Sequence, residues 1–177
     1  MTTHRLLPML AGLAFLSACA APRKPEPAPL PVPPPRPVAT AMPAPPPADW
    51  RDAPLTPGTW NYDADASGSS ARFGGDVAAP LLTLRCDRAA GRFTLLRAGA
   101  APGPLPLTIT TSTLTRAFTA TPEAAPTPQL GLALAPRDAV LDAMGFSRGR
   151  FVIEVAGLPT LYLPAWPEVS RVIEDCR

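Results

Sequence analysis

The sequence predicts a mainly β domain, a small antiparallel sandwich or barrel with two short helices, placed after a disordered proline-rich segment. Short runs of alternating apolar and polar residues, bounded by glycine and proline, recur through the last two thirds of the chain. This two-residue period is typical of strands with one buried face. Of the 27 prolines in 177 residues, 13 fall between Pro22 and Pro47, where regular strands and helices are excluded because proline donates no backbone hydrogen bond.

The chain begins with the features of an export signal. A short positive start is followed by an apolar run from Leu6 to Leu16, which is much shorter than the roughly 20 residues of a membrane-spanning helix. The next residues complete the sequence Leu16-Ser17-Ala18-Cys19, which resembles the lipobox of bacterial lipoproteins. That resemblance implies a signal peptide over residues 1–18, cleavage before Cys19 and a diacylglycerol on the Cys19 thiol.

The lipobox also implies where the protein resides. Two or more acyl chains hold a protein stably on a bilayer, so the membrane is the first expected partner, through the lipid on Cys19. In that family an aspartate after the cysteine favours retention at the inner membrane. Ala20 stands there instead, which favours the outer membrane, with the protein facing the periplasm.

Residues 19–48 are interpreted as a tether that begins with the lipidated cysteine. The segment consists mainly of proline, alanine and valine, and proline-rich chains adopt extended polyproline II structure. At about 3.1 Å per residue such a tether reaches up to about 90 Å. It would hold the globular domain, residues 49–177, away from the lipid surface.

Alternation within residues 49–177 predicts eight or nine strands. Further plausible strands lie at Thr59–Tyr62, Ala71–Phe73 and Thr113–Ala120. Many short strands with turn residues between them favour a sandwich or barrel over a parallel sheet. The inward positions are Leu82, Leu84 and Cys86; Phe93 and Leu95; Leu105, Leu107 and Ile109; Leu130, Leu132 and Leu134; Phe151, Ile153 and Val155; and Leu161 and Leu163.

Two segments follow the helical period. The first, Arg137–Met144, stops at Gly145, which suits a left-handed C-terminal cap. The second begins at Pro167, a residue favoured at the first helical position. The expected buried stripes are Val140, Leu141 and Met144, then Val169, Val172, Ile173 and Cys176, while Ser170, Arg171, Glu174 and Asp175 are expected to face outwards.

Two cysteines remain once Cys19 carries lipid. Cys86 and Cys176 both occupy inward positions of their predicted elements, and paired cysteines in an exported protein usually form a disulfide. We therefore predict a Cys86–Cys176 bridge, which would hold the terminal helix on the sheet.

The composition excludes several function classes. The only histidine, His4, lies in the segment expected to be removed, so Ser-His-Asp and Cys-His catalysis and imidazole metal sites are excluded. A formal charge of +2 is too weak to indicate nucleic acid as a partner. No catalytic residue, cofactor or metal is expected, and the protein is predicted not to be an enzyme.

Two patterns in the sequence bear on this conclusion. Asp63–Gly68 imitates the start of a calcium loop, but the twelfth position is Gly74 rather than a bidentate glutamate, so a hairpin connection is preferred. Asp138 and Asp142, one helical turn apart, could serve a hydrolase with paired carboxylates, as could Glu174 with Asp175. These pairs are interpreted as solvated faces.

The turn Ser147–Arg150 is the candidate contact site for an anion or a partner. Arg148 and Arg150 lead into a predicted strand, and arginine forks suit carboxylates and phosphates. Surface pairing of both arginines with acids is the alternative.

The globular part resembles small alphaproteobacterial envelope proteins, and the resemblance implies no particular function. Its segments are Trp60–Tyr62, Leu84–Cys86, Phe146–Phe151, Leu163–Glu168 and Glu174–Arg177. In architecture it is also similar to the disulfide-bonded β-barrel lipoproteins that inhibit lysozymes, although their inhibitory residues have no match here. We expect an envelope lipoprotein that binds or scaffolds a periplasmic protein or envelope polymer, with lysozyme inhibition as the alternative.

Overall fold

Nine antiparallel strands and two short helices form the part of the protein that the structure, a computed structural model, describes. That part is residues 49–177; the expected signal peptide, Cys19 and the tether lie outside the described residues. The predicted mainly β class with two helices is confirmed. The strands are β1 (Thr59–Asp65), β2 (Gly68–Gly74), β3 (Leu82–Asp87), β4 (Arg92–Ala98), β5 (Leu105–Thr110), β6 (Thr115–Glu123), β7 (Gln129–Leu134), β8 (Arg150–Val155) and β9 (Leu161–Pro164), and the helices are α1 (Ala139–Gly145) and α2 (Pro167–Glu174).

The strands form one sheet in the order β1-β2-β3-β4-β7-β6-β5-β8-β9. β6 connects the two parts of the sheet, because its two halves pair with different strands. Its residues 115–120 pair with β5, whereas Thr121–Glu123 pair with β7. The prediction of a strand at Thr113–Ala120 was therefore displaced by two to three residues, because Thr111 and Leu114 are bonded to each other in the turn before it.

The two ends of the sheet approach each other. The backbone N–H of Thr56 donates to the carbonyl of Tyr162 at 2.9 Å, and the Thr56 hydroxyl accepts from the Tyr162 N–H at 2.9 Å. The Trp60 indole on β1 donates to the Pro164 carbonyl on β9 at 2.8 Å. The sheet is thereby curled around its core and joined where its first and last strands meet.

The core consists of the inward faces of the strands and one face of each helix. The inward positions predicted from alternation are buried, apart from Leu105, which packs partly buried against the core. Val140, Leu141 and Met144 of α1 and Val169, Val172 and Ile173 of α2 are also buried, as predicted. α2 packs against α1 and against β1, β2 and β3, so it covers the first part of the sheet.

Helix α1 begins two residues later than predicted and ends differently. The Asp138 carboxylate accepts a hydrogen bond from the Val140 N–H at 2.9 Å, which makes Asp138 the N-cap. The expected left-handed cap at Gly145 is wrong, because Gly145 is the last helical residue and Phe146 caps the helix without a positive φ. Gly145 instead allows close packing of the helices, since a Cβ there would lie 3.2 Å from the Ser170 hydroxyl on α2.

None of the helices within residues 49–177 has the length and apolar composition required to span a bilayer.

Candidate functional site

Cys86 and Cys176 form the predicted disulfide, with their Cα atoms 5.3 Å apart. Cys86 lies on the inward face of β3, and Cys176 follows the last turn of α2. The bond joins positions 90 residues apart. It therefore fixes the end of the chain on the strands that α2 covers.

Beside the disulfide, Tyr62 and Asp175 form a pair that corrects one expectation. Asp175 does not face outwards; it is half-buried and accepts a hydrogen bond from the Tyr62 hydroxyl at 2.5 Å. The guanidinium of Arg171 lies over the Tyr62 ring, 4.1 Å from its centroid, which is within range of a cation–π contact. This cluster joins β1 to the end of α2.

The other candidate acids of the helices are held by arginines. Asp138 pairs with Arg116 at 2.7 Å, and Arg177 pairs with Asp142 at 2.6 Å and with Glu174 at 3.2 Å. These contacts tie α1 to β6 and the C-terminal residue to both helices. Asp138, Asp142 and Glu174, the candidate carboxylates for acid–base chemistry, are therefore engaged in ion pairs with arginines.

Asp65 closes the β1–β2 hairpin, which is the role preferred for it above. Its carboxylate accepts from the Ser67 hydroxyl at 2.5 Å and from the N–H groups of Ser67 and Gly68 at 2.7 and 3.1 Å. The hydrogen bonds from Ser67 hold the pKa of the Asp65 carboxyl below its usual range. Over residues 49–177, no three histidine, cysteine, aspartate or glutamate side chains converge in a way that could hold a metal ion.

The structure separates the two arginines of the Ser147–Arg150 turn. Arg150 is half-buried and donates from its guanidinium to the Ala53 carbonyl. Arg148 is exposed, and its backbone N–H donates to the Ser112 hydroxyl at 3.1 Å. Two residues before it, Phe146 is 74% exposed. Arg150 therefore holds the segment around Ala53, which precedes β1, against the domain. Arg148 is the arginine of this turn that faces solvent.

A groove that the sequence analysis did not single out lies on the outer face of β2 and β3. It encloses about 360 Å³, and its floor includes Ser70 and Arg72 of β2 and Thr83 and Arg85 of β3. These residues alternate with buried Ala71 and Leu84 along the strands, so they face outwards. Alternation could have located them, because they are the complement of the inward positions.

The register of β2 and β3 sets these four side chains in a square. Ser70 lies opposite Arg85, and Arg72 lies opposite Thr83. The two arginines therefore occupy one diagonal and the two hydroxyl residues occupy the other. Residues directly opposite have Cβ atoms about 4.5–5.5 Å apart, and diagonal neighbours about 7–8 Å, so all four groups can reach a single small ligand.

The arginines of this square have no acidic partner among residues 49–177. The ion pairs in that range involve other arginines, namely Arg51, Arg116 and Arg177. The Nε of Arg72 is enclosed and has no hydrogen-bond partner within the described residues. An enclosed donor left without a partner costs free energy.

Two neighbouring depressions extend the groove across the sheet. One, of about 310 Å³, shares Arg85 and Leu96 with it and includes Arg92, Thr94 and Glu123. The other, of about 130 Å³, shares Thr83 and Leu96 and is lined mainly by apolar residues. On the side of β4, the square of Ser70, Arg72, Thr83 and Arg85 therefore borders both a charged area and an apolar one.

Comparison with known proteins finds no family model, no curated protein and no solved structure that matches this chain. The functional interpretation therefore rests on the sequence and on the geometry of the described domain.

Proposed function

We propose that this protein is a lipid-anchored lipoprotein of the bacterial outer membrane, facing the periplasm, whose β domain is a non-enzymatic binding or scaffolding module. The lipobox at Leu16–Cys19 supports the anchor, and the proline-rich segment up to residue 48 supports a spacer. The disulfide between Cys86 and Cys176 is compatible with an oxidising compartment.

The observation that carries the binding role is the groove on β2 and β3. It presents Arg72 and Arg85 on the outer face of a sheet whose other face is a continuous apolar core. Side chains on paired strands keep a fixed spacing, which reduces the entropy lost on binding. A fixed set of unpaired donors is suited to recognising a ligand, and we assign the groove as the binding face.

The anchor is tested by fractionating cells that produce the wild-type protein or Cys19→Ala. We expect the wild type in the outer-membrane fraction and Cys19→Ala outside it, because the variant has no thiol to carry lipid. Recovery of both proteins in the same membrane fraction would remove the anchor from the proposal.

The binding face is tested in the intact envelope with a photo-crosslinking residue at one position at a time. Thr94 lines the extension of the groove, and Thr119 is an exposed position on β6 that serves as the matched control. We expect a discrete crosslinked product from position 94 only. Equal products from both positions, or none from position 94, would refute the assignment of the groove.

A second candidate function, a lysozyme-type inhibitor, is favoured by the exposed turn that carries Phe146 and Arg148. An exposed arginine on the same turn as an exposed aromatic side chain can enter an acidic cleft. Inhibition of a lysozyme that is abolished by Arg148→Glu and retained by Arg137→Glu, an exposed arginine on the approach to α1, would establish this role. Lysozymes left fully active by the wild-type protein would exclude it.

A further inference from the structure

We propose that the square of Ser70, Arg72, Thr83 and Arg85 is a binding site for a phosphate group. This inference rests on the proposed function, because it names the chemical class of ligand that the binding face takes. The ligand can be a phosphate ester in solution or the headgroup of a phospholipid, since both offer the same oxygen atoms to the protein.

The two arginines supply the charge for this site. Arg72 and Arg85 are diagonal neighbours across β2 and β3, and neither forms an ion pair with a described residue. Two guanidinium groups at such a spacing repel each other, and a shared anion between them removes the repulsion. The enclosed Nε of Arg72 offers a donor that is otherwise unused.

The two hydroxyl groups favour phosphate over carboxylate. A carboxylate is planar and is satisfied by a single arginine fork, whereas a phosphate has oxygens directed towards the corners of a tetrahedron. Ser70 and Thr83 add donors on the second diagonal of the square. Four donor side chains therefore suit the larger number of acceptor oxygens on a phosphate better than the two oxygens of a carboxylate.

The acids at the rim leave this square accessible. Asp65 is engaged by Ser67 and Gly68 in its own hairpin turn. Asp63 lies on the outer face of β1 opposite Ser70, on one side of the square, and forms no ion pair with a described residue. Asp87 and Glu123 line the neighbouring depression that includes Arg85, and they too form no ion pair with a described residue. Within the described domain, no carboxylate therefore lies at ion-pair distance from either arginine.

The proposal is tested on residues 19–177 carrying Cys19→Ser, which retains the tether and removes the lipidation site. Backbone amide NMR signals are followed during titration with inorganic phosphate, and with acetate at matched ionic strength. We expect phosphate to shift the amides of positions 70, 72, 83 and 85, and acetate to bind more weakly. Arg85→Gln should weaken phosphate binding by about tenfold, the effect of losing one charged hydrogen bond.

The matched control is Arg137→Gln, which removes the same charge from an exposed position outside the groove. It should bind phosphate as the wild type does. Equal weakening by Arg137→Gln and Arg85→Gln, equal affinity for acetate and phosphate, or no phosphate binding would overturn the proposal. Because Arg85 is exposed and contributes nothing to the core, the Arg85→Gln variant is expected to keep its fold, which the dispersion of its NMR spectrum verifies.

Two further titrations distinguish the source of the phosphate. Glycerol phosphate represents a soluble ester, and phosphatidylcholine vesicles with and without phosphatidylglycerol represent a lipid surface. Shifts in the same amides with glycerol phosphate alone assign a soluble ligand, and shifts that require phosphatidylglycerol assign a headgroup. A crosslink from position 94 without any phosphate binding would leave the binding face in place and reject only its ligand class.

Discussion

The hydroxyl of Tyr62 donates a 2.5 Å hydrogen bond to the carboxylate of Asp175, although the two residues are 113 positions apart in the chain. The bond joins the first strand of the sheet to the end of the last helix, beside the Cys86–Cys176 disulfide. Each residue changes the ionisation of the other, and the pair therefore makes the stability of the domain depend on pH.

Replacement of Tyr62 by phenylalanine should destabilise the domain. A hydrogen bond to a charged group contributes about 1.5–3 kcal/mol to stability, and the half-exposed location of this pair places the expected loss at about 1–2 kcal/mol. Denaturant unfolding measures it. Tyr162→Phe is the matched control, because the Tyr162 hydroxyl has no hydrogen-bond partner within residues 49–177. Equal stability of Tyr62→Phe and wild type would contradict the prediction.

Stability should fall in acid because of Asp175. Burial raises the pKa of the Asp175 carboxyl, but the hydrogen bond from Tyr62 and the charge of Arg171 outweigh it, so the pKa lies below its ordinary 3.8. The folded state then binds fewer protons than the unfolded state. The contribution of Asp175 is present above pH 3.8 and is lost as the pH falls through the lowered pKa.

Stability should also fall in alkali, because the Tyr62 hydroxyl loses the proton that forms this hydrogen bond. The hydrogen bond to Asp175 raises the pKa of the Tyr62 hydroxyl above its ordinary 10.0. The stabilisation is complete below pH 10.0 and is lost as the pH rises through the raised pKa. The difference in the free energy of unfolding between wild type and Tyr62→Phe, measured from pH 2 to 11, should therefore be smallest at the two extremes of pH. A constant difference across that range would rule out the linkage.

Removal of the disulfide should cost more than any of these contacts. A bond that closes a loop of 90 residues stabilises a protein by about 4–5 kcal/mol on the chain-entropy description. We expect Cys86→Ala with Cys176→Ala to lose most of that amount in denaturant unfolding. If the double variant unfolds at the same denaturant concentration as the wild type, the disulfide does not stabilise the domain.

Arg97 is a buried cation held by carbonyl groups. It occupies an inward position on β4, is 5% exposed, and donates to the carbonyls of Leu81, Ala98 and Pro159 at 3.3, 2.5 and 3.1 Å. Burial lowers the pKa of its guanidinium. Arg97→Met should destabilise the domain by about 2–4 kcal/mol because it removes the guanidinium donor from the carbonyls of Ala98 and Pro159, whereas the Leu81 carbonyl keeps the N–H of Ala98.

Arg116→Met is the control for Arg97→Met. It removes an arginine from the exposed face of β6, where its ion pair with Asp138 is partly solvated. We expect a loss of less than about 1 kcal/mol, the usual contribution of a surface pair. A loss as large as that of Arg97→Met would indicate that burial does not set the difference.

Much of this architecture could be predicted because local patterns determine it. The alternation of Leu82, Leu84 and Cys86 gave a strand and its inward face, and the spacing of Val169, Val172 and Ile173 gave the last helix. The disulfide followed because both cysteines fell on core faces. Residues 1–48, including Cys19 and its lipobox, lie outside the described structure, so the anchor stays a prediction.

The features that escaped prediction depend on partners distant in sequence. Arg97 continues the inward pattern of Phe93 and Leu95, and one of the three carbonyls that accept from its guanidinium belongs to Pro159, 62 residues away. Asp175 is similar, because its partner lies on β1. The groove could not be predicted because it depends on the pairing register of β2 with β3, which the sequence of one strand alone does not determine.

The contacts between the two ends of the sheet also affect whether copies of the domain can pair through their edge strands. An open sheet exposes unpaired N–H and C=O groups on its outer strands, and these groups can recruit strands from other molecules and start aggregation. Here Thr56 covers the edge of β9 at Tyr162, and the Trp60 indole of β1 reaches Pro164. The edges of β1 and β9 are thus partly occupied from within the same molecule, which leaves less free backbone for a strand of a second copy to pair with.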